Sequence, residues 1–490
     1  MPDLTKCRAR WWRLLATATL VLGWPAMCLT DEVAGNPESQ AVSEPEPVSE
    51  AVEWLQEYIR IDTTNPPGNE AKAVEFLAKI LRANGIRYRV AEPVPGRKNL
   101  WARLEGGDEP ALLLLHHTDV VSADPDFWDV GPFAGEIVDG HVYGRGALDM
   151  KSHGIIHLAT FVALHRNKVR LNRDVVFMAT ADEEAGSQVG MGWMVSNKPA
   201  AFSGVGLALT EGGQATLVGD RIAVGIEVTQ KVPLWLRLES TGPAGHGSTP
   251  KTTSALGSLI DALANLRAHE FAPRIVPAVD SYFKKLAPNF PGRLGSNFAN
   301  IESAVHDPAF RQRLREMLPN LSALISNTCS ITRVTGSDKV NVVAPTASAE
   351  IDCRLLPDQE PVSFLAEIER VLDDDSIWID PMLSYGSSAS DTDTALYAAI
   401  ENVMAEQFPG VEAVPTVSAG FTDSHYLRER GIASYGFAPF VVPVADTGGY
   451  HGNNERISVD NIDRGVELLT EIVTKVVNPG AGPTAAEVSR

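Results

Sequence analysis

Apolar positions in this chain follow two different periods along its length. Val52, Leu55 and Ile59 recur at helical spacing, whereas the segment from Ala111 to Val121 opens with an unbroken apolar run. Such a run predicts a strand that is buried on both faces of a sheet. Strand-like runs and helical patterns then alternate as far as residue 230. The pattern predicts an α/β fold in which a mixed, mostly parallel sheet is flanked by helices.

The pattern changes at about Val232. Leu234 to Leu238 and Ala347 to Leu355 alternate between apolar and polar positions, as half-exposed strands do. A helical pattern from Ser254 to Ala268 and a long stretch with prolines and aromatic residues lie between them. We therefore predict an inserted α+β domain over residues 231–356. The main domain is then formed by two segments, 49–230 and 357–478.

The ends of the chain differ from both domains. Four basic residues precede a short apolar run from Leu14 to Gly23. This layout is typical of a secretory signal peptide over residues 1–30, and it predicts an exported protein, periplasmic or secreted. The run is shorter than the ~20 residues that span a bilayer, so an uncleaved anchor is the weaker alternative and no stable membrane span is expected. Residues 31–48 are predicted to form a disordered linker and residues 479–490 a flexible tail.

Charge and cysteine content exclude some classes of protein. A formal net charge of -20 argues against nucleic acid as a partner. Only Cys329 and Cys353 remain beyond the predicted signal peptide. They would face each other in a hairpin centred near Asn341, either as a disulfide or as two free buried thiols. No Cys-x-x-Cys pair is present, so a thiolate zinc site is not expected.

Histidine and acidic residues stand where predicted strands and turns end. His117 closes the first apolar run, Asp149 follows a glycine-rich turn, and Glu184 and Glu211 follow two further strands. Ligand sites in open α/β sheets gather at the carboxyl ends of strands. Each of the three acids alone is equally well explained as a solvated turn residue or a helix cap, but the three acids together with His117 favour a shared site. Imidazole and carboxylate donors suit zinc, cobalt or manganese, and paired ions of this kind promote hydrolysis.

These residues belong to motifs that resemble a known family. In chain order the motifs are His117-x-Asp119, Tyr143-Gly144-Arg145-Gly146-x-x-Asp149-x-Lys151, Asp182-Glu183-Glu184, Glu211-Gly212-Gly213 and Tyr450-His451. Together they resemble the aminoacylase and carboxypeptidase family of dinuclear zinc exopeptidases. Trp128-x-x-x-Pro132-Phe133 ahead of Asp139-Gly140, and the long insertion, are similar to the aminoacylase and carboxypeptidase S-like branch.

The resemblance implies two divalent metal ions, either Zn²⁺ or alternatively Co²⁺ or Mn²⁺. His117, Asp149 and Glu211 would hold one ion, and Asp149, Glu184 and His451 would hold the other. Asp149 would therefore bridge the two ions.

Three further residues would act in catalysis if the resemblance holds. Glu183 would be the general base that activates a metal-bridging hydroxide, and Asp119 would orient His117. His246, in Gly245-His246-Gly247-Ser248, would stabilise the oxyanion, often from the partner chain of a homodimer. The inserted domain would then serve as a lid and dimerisation domain. The plainer alternative for His246 is a histidine on a surface loop.

The resemblance also implies a substrate with a free carboxylate. Asn341 and Arg354 resemble the pair that recognises this group, and Gly420 and Thr422 lie in a turn that resembles another part of the pocket. A strand-surface salt bridge is the alternative for Arg354. We expect a hydrolase that cleaves the amide bond of N-acyl amino acids or short peptides. The alternatives are a dipeptidase or aminopeptidase on the same scaffold, and a catalytically silent metal- or peptide-binding protein.

Three other histidines have structural interpretations. His116 should point to the opposite face of the strand from His117. His153 and His157 lie four residues apart on a predicted helix, where partial burial explains them better than a second metal site. We therefore assign none of the three to the metal centre.

Overall fold

The computed structural model of the protein describes residues 48–218 and 221–480. The predicted signal peptide, the linker up to residue 47 and the tail from residue 481 lie outside the described residues. In the described ranges, no helix combines the length and the apolar character needed to cross a membrane.

The chain passes through a main domain, a second region and then the main domain again. The elements of the first segment are α1 (Glu50–Ile59), α2 (Glu70–Ala83), β1 (Tyr88–Val94), β2 (Arg97–Leu104), β3 (Glu109–His117), β4 (Ile137–Val138), β5 (His141–Tyr143), α3 (Lys151–Arg166), β6 (Arg173–Thr180), α4 (Met191–Asn197), β7 (Val205–Thr210), β8 (Ala215–Val218) and β9 (Arg221–Gln230). Those of the second region are β10 (Val232–Thr241), β11 (Gly245–His246), α5 (Ala255–Ala268), α6 (Pro277–Leu286), α7 (Gly292–Ala299), α8 (Ile301–Ala304), α9 (Pro308–Met317), α10 (Pro319–Ser322), β12 (Thr328–Thr335), β13 (Val342–Val343), β14 (Thr346–Leu355), α11 (Pro361–Leu372) and β15 (Trp378–Ser384). Those of the returning segment are α12 (Ala395–Gln407), β16 (Ala413–Ser418), α13 (Ser424–Arg428), β17 (Ala433–Gly436), β18 (Val441–Pro443), β19 (Arg456–Ser458) and α14 (Val459–Val477).

The main sheet is mixed, as predicted. Its strand order is β1-β2-β6-β3-β7-β17-β9-β8-β18, and β16 pairs with β9. The central pairs β6-β3, β3-β7 and β7-β17 are parallel, whereas β1-β2, β2-β6 and β8-β9 are antiparallel. The parallel strands at the centre end at the same edge, and the residues that follow them are therefore brought together.

Strand β3 explains why its apolar run is unbroken. Leu112 and Leu114 pack in the core with helices α1, α2, α3, α12 and α14, whereas Leu113 and Leu115 face α4 and α13. All four side chains are fully buried. Because successive side chains of a strand point to opposite faces, a strand covered by helices on both sides needs an apolar residue at every position.

A second, four-stranded sheet has the order β12-β14-β10-β15. Helices α5 and α11 cover one of its faces, and the other face is formed by polar and aromatic side chains of the alternating strands. The predicted insertion was bounded at residue 356, but α11 and β15 extend this sheet to Ser384. A helix followed by a strand has the same local pattern in either domain, so only the pairing of β15 with β10 assigns them to the smaller sheet.

The two cysteines lie opposite each other in the smaller sheet. Cys329 on β12 is paired in register with Cys353 on β14, and a disulfide joins them. The antiparallel arrangement predicted around Asn341 is confirmed.

A small sheet connects two loops that are far apart in sequence. The predicted hairpin on Asp139-Gly140 forms from β4 and β5, and both turn residues have positive φ angles of 48° and 72°. Strand β19 pairs with β5, with Ile457 opposite Val142. This pairing brings the loop that contains His451 beside the loop that leads to Asp149.

Candidate metal centre

Two histidines and three carboxylates meet at the edge where the central parallel strands end. His117 ends β3, Glu184 lies in the turn after β6, and Glu211 directly follows β7. Asp149 and His451 lie on the loops joined by the small sheet. All five predicted metal ligands are therefore brought to one place.

Asp149 lies between the two histidines. Nε2 of His117 is 3.1 Å from Oδ1 of Asp149 and 3.6 Å from Oε2 of Glu211. Nε2 of His451 is 3.2 Å from Oδ2 of Asp149 and 3.2 Å from Oε2 of Glu184. Donors that share one zinc ion at about 2.0–2.2 Å lie roughly 3–3.5 Å apart. The spacing fits two adjoining donor sets that share Asp149.

The charges of this cluster are not balanced by the protein alone. Burial and neighbouring carboxylates raise the pKa of Glu183 and of Glu184, and burial together with Asp149 raises the pKa of Glu211 to about 8. One buried oxygen of Glu183 and one of Glu184 have no hydrogen-bond partner among the described residues. Hydrogen bonds to Asp149 and Glu184 raise the pKa of His451 to about 10. Divalent cations would supply the positive charge that this donor set requires, so the residues fit a metal centre.

Asp119 is buried beneath the turn that carries the two glutamates. Its carboxylate accepts hydrogen bonds from the backbone N–H groups of Glu183 and Glu184, both at 3.1 Å. Nδ1 of His117 is 3.0 Å from the backbone carbonyl oxygen of Asp119 and 3.6 Å from its carboxylate. The residue therefore contacts the ring mainly through its backbone, while its carboxylate holds the glutamate turn.

A polar network behind this turn was not identified from the sequence. Asp182, which has a left-handed φ of 71°, accepts a hydrogen bond of 2.8 Å from Arg97. Arg97 also donates to Glu70 at 2.6 Å, and Asn65 donates to both Asp119 and Asp182. These partners come from α2, the loop before it and the start of β2, so no local pattern in the sequence connects them to the site. They fix the start of the glutamate turn.

Glu455 was also missed, and it supports the loop of the bridging ligand. Its fully buried carboxylate accepts hydrogen bonds from Nη1 of Arg145 at 2.6 Å and from the backbone N–H groups of Gly146, Leu148 and Asp149 at 2.6 to 3.1 Å. Gly146 has a φ of 93°, which glycine adopts without strain. The loop that carries the second histidine therefore also fixes the backbone of the bridging aspartate.

The three histidines set aside in the sequence do not join the metal ligands. His116 faces Tyr58, with its Nε2 3.4 Å from the hydroxyl, and packs against Phe177. His153 and His157 are buried in α3 more completely than predicted. Burial lowers the pKa of His153 to about 4 and that of His157 to about 3, so both are neutral near pH 7.

The residues predicted to act from the smaller sheet lie at opposite ends of it. His246 lies on β11, Asn341 directly precedes β13, and both side chains are exposed. The backbone N–H of Gly247 donates a hydrogen bond of 2.8 Å to the Asn341 carbonyl, so the two residues are neighbours. Both lie beyond Thr346, at the start of β14, whereas Arg354 is at its end. Arg354 lies eight residues along the strand from Thr346, which is a distance of roughly 26 Å. Within one chain, His246 and Asn341 therefore do not share a site with Arg354.

Arg354 lies where the smaller sheet meets Phe421 of the main domain, and we refer to this junction between the two sheets as the cleft. Nε and Nη2 bond to the Asp352 carboxylate at 2.6 and 3.0 Å, while its guanidinium lies over the rings of Trp235 and Phe421. Nη1 is buried and has no hydrogen-bond partner in the part of the chain that the structure describes. Arg354 thus forms the salt bridge that the alternative interpretation predicted, but its Nη1 donor remains available for another partner.

The turn around Gly420 contributes mainly Phe421 to this cleft. The Thr422 hydroxyl and backbone N–H both donate to Gln230, at 3.0 and 3.2 Å. Thr422 is buried and Gly420 is exposed. Thr422 thus holds the turn, and the aromatic residue between the two predicted positions faces Arg354.

An α/β domain with a candidate two-ion centre and an inserted second sheet defines a class of metal-dependent hydrolases. The chain belongs to peptidase family M20/M25/M40, whose model matches residues 113–475. It is 28% identical over 444 residues to the N-fatty-acyl-amino acid synthase/hydrolase PM20D1 of Xenopus tropicalis, covering 86% of this chain and 85% of that protein. It is 26% identical to aminoacylase-1 of Mus musculus, covering 89% and 97%. The crystal structure of an M20 family metallo-carboxypeptidase from Sulfolobus solfataricus has the same fold, with a TM-score of 0.66, 18% identity, and coverage of 87% and 99%.

Proposed function

We propose that this protein is a dinuclear metallohydrolase, with zinc as the expected metal, that cleaves an amide bond beside a free carboxylate. Its substrates would be N-acyl amino acids or short peptides. The observation that carries the proposal is Asp149, whose two oxygens face two different histidines, next to a buried Glu183 oxygen that has no hydrogen-bond partner among the described residues. The similarity to an aminoacylase and to an N-fatty-acyl-amino acid synthase/hydrolase supports the substrate class.

The residues of the site have complementary tasks in this reaction. Bound divalent ions polarise a carbonyl and lower the pKa of water. Glu183 takes the proton from the attacking water and returns it to the nitrogen as the C–N bond breaks. Burial and the nearby Glu211 raise the pKa of Glu183, which suits a group that must hold a proton between these two steps. Arg354 binds the substrate carboxylate through its remaining donor.

We also propose that the active enzyme is a homodimer formed through the smaller sheet. His246 hydrogen-bonds to Ser248 at 2.8 Å and is otherwise exposed, and it lies far from Arg354 along the sheet. In a dimer, His246 and Asn341 would reach the metal centre of the second copy, where His246 donates to the oxyanion. Sedimentation of the purified protein, combined with mixing of Glu183→Gln and His246→Ala chains, tests this. Recovery of activity in the mixture supports a shared site, and its absence contradicts one.

Export is proposed on separate grounds. The Cys329–Cys353 disulfide supports a periplasmic or secreted location because disulfides persist in oxidising compartments. Cell fractionation with a cytoplasmic marker protein tests this location.

The substrate proposal is tested with the metal-loaded protein and a panel of N-acyl amino acids and dipeptides. Each substrate is paired with a version that is amidated at its carboxyl end. We expect hydrolysis of the free acids, loss of activity after chelation and recovery on adding Zn²⁺, Co²⁺ or Mn²⁺. Equal rates for acids and amides would contradict the role of Arg354. A requirement for a free amine would favour the dipeptidase or aminopeptidase alternative, and no turnover of any substrate would favour a binding protein.

A further inference from the structure

Three aromatic residues form a continuous surface in the cleft between the two sheets. We refer to Trp235, Phe421 and Tyr385 as the aromatic wall. The ring centroid of Phe421 is 5.9 Å from that of Trp235 and 5.9 Å from that of Tyr385, with edge-on angles of 69° and 67°. All three side chains are only half-buried. Each ring therefore leaves part of its surface exposed, and one face of Tyr385 stacks on His425 with the ring centroids 3.7 Å apart.

The aromatic wall connects the two ends of the proposed site. At one end, the Arg354 guanidinium carbon is 4.8 Å from the centre of the Phe421 ring and 5.9 Å from that of Trp235. At the other end, the Tyr385 hydroxyl donates a hydrogen bond of 2.9 Å to the carbonyl of Gly186. Gly186 lies in the same turn as Glu183. The wall thus runs from the group that binds the carboxylate to the turn that carries the general base.

Two hydrogen-bond donors at the Arg354 end have no partner among the described residues. They are Nη1 of Arg354 and Nε1 of the Trp235 indole, both buried. A carboxylate has two oxygens that can each accept such a bond. Buried donors without partners are uncommon in folded proteins, and these two belong to side chains that contact each other. These two donors are suited to bind a carboxylate that lies beside Trp235, at the end of the aromatic wall nearest Arg354.

The position of the carboxylate determines where the adjacent side chain lies. In an N-acyl amino acid, or in the last residue of a peptide, one carbon atom carries the carboxylate, the scissile nitrogen and the side chain. When the carboxylate lies at Arg354 and the nitrogen is directed toward Glu183, the side chain is left beside the rings between them. Pockets with aromatic sides and few polar groups select apolar ligands.

We propose that the aromatic wall binds the side chain of the substrate amino acid and selects large apolar residues, above all aromatic ones. This inference rests on the proposed function and specifies its substrate. The single nearby acid on this strand, Asp352, has both oxygens bonded to Arg354, at 2.6 and 3.0 Å. It is therefore not free to pair with a lysine side chain.

The experiment compares kcat/KM for N-acetyl derivatives of Phe, Leu, Ala, Asp and Lys, and for the dipeptides Gly-Phe and Gly-Ala. We expect the Phe derivative to exceed the Ala derivative by at least ~10-fold, with Asp and Lys lowest. The dipeptide arm shows whether the same preference holds when the amino acid is the end of a peptide. If kcat/KM is equal for all side chains, or highest for polar ones, the role of the aromatic wall is overturned while the proposed function stays intact. No hydrolysis of any substrate overturns both.

Variants then assign the preference to particular rings. Phe421→Ala should lower the Phe-to-Ala ratio of kcat/KM by ~10-fold, and Phe421→Leu should retain most of the preference for Leu. The matched control is Trp378→Ala, which removes an exposed aromatic residue from β15 in the same sheet. Trp378 lies opposite Glu239, about 13 Å along β10 from Trp235. An unchanged ratio in Phe421→Ala, or an equal change in Trp378→Ala, overturns the inference.

Discussion

The carboxylate of Glu455 provides the most direct test of how the metal centre is assembled. It is fully buried and is bonded to the Arg145 guanidinium, which is itself only 2% exposed. It also accepts hydrogen bonds from the backbone N–H groups of Leu148 and Asp149. Glu455→Gln keeps the size of the side chain but removes its charge, and it turns an N–H donor toward groups that are themselves donors.

The expected loss of stability follows from these contacts. Removing one member of a buried ion pair costs about 3–5 kcal/mol, because the other charge stays buried without its partner. Arg145 would keep only its bonds to backbone carbonyls, including one of 2.8 Å to Gly452. Because the loop that leads to Asp149 loses one of its two acceptor oxygens, the affinity for the metal should fall about 10–100-fold as well.

Two measurements check this prediction. Urea unfolding of the metal-free protein gives the change in the free energy of unfolding, and calorimetric titration with Zn²⁺ gives the change in affinity. The control is Glu406→Gln, which breaks an ion pair with Lys475 whose side chains are 56% and 37% exposed, and which should cost less than ~1 kcal/mol. If Glu455→Gln behaved like this control in both measurements, the supporting role of Glu455 would be refuted.

Three further predictions concern other parts of the chain. Glu183→Gln should retain both metal ions, measured by elemental analysis, but lose about 10²–10⁴-fold in kcat, since no base then accepts the proton; near-normal kcat would contradict the assignment. Burial lowers the pKa of His157 to about 3, whereas its value in the unfolded chain is 6.5. Between these two pH values only the unfolded chain binds the proton. The free energy of unfolding therefore falls as the pH decreases, by up to about 1.4 kcal/mol per pH unit. His157→Leu should reduce that slope in urea unfolding at pH 6.5 and 5, and an unchanged slope would count against it. Replacing Cys329 and Cys353 by Ser should lower the free energy of unfolding by about 3.5 kcal/mol, because the disulfide closes a loop with a sequence separation of 24; equal stability of the oxidised parent and the variant would contradict this.

The main domain was predictable because its signals are local. The apolar run of β3 and the Asp-Gly hairpin both correspond to elements of the structure. Turn chemistry and the period of apolar residues act over a few positions, so the sequence reveals them directly. The end of the inserted region was not predictable in this way, since β15 joins the smaller sheet through pairing with a strand about 140 residues earlier.

The roles in the cleft depended still more on packing. The motifs that contain His246, Asn341 and Arg354 follow one another along the sequence. In the structure, the extended strand β14 separates Arg354 from His246 and Asn341. The turn from Gly420 to Thr422 was recognisable, yet its central residue, Phe421, faces Arg354 while Thr422 bonds to Gln230. Which side chain of a turn faces a cleft depends on what packs behind it.

The sequence by itself determined the candidate metal ligands, because strand and turn patterns precede His117, Asp149, Glu184 and Glu211, and the resemblance to a known family added His451. Only the tertiary structure decided how those ligands are supported and where the substrate would lie. Glu455 bonds to Arg145 across 310 residues, and the aromatic wall draws its three rings from β10, the segment after β15 and the turn after β16. Periodicity and turn chemistry are encoded within a few residues, whereas hydrogen bonds and ring contacts between distant segments exist only once the sheets have packed.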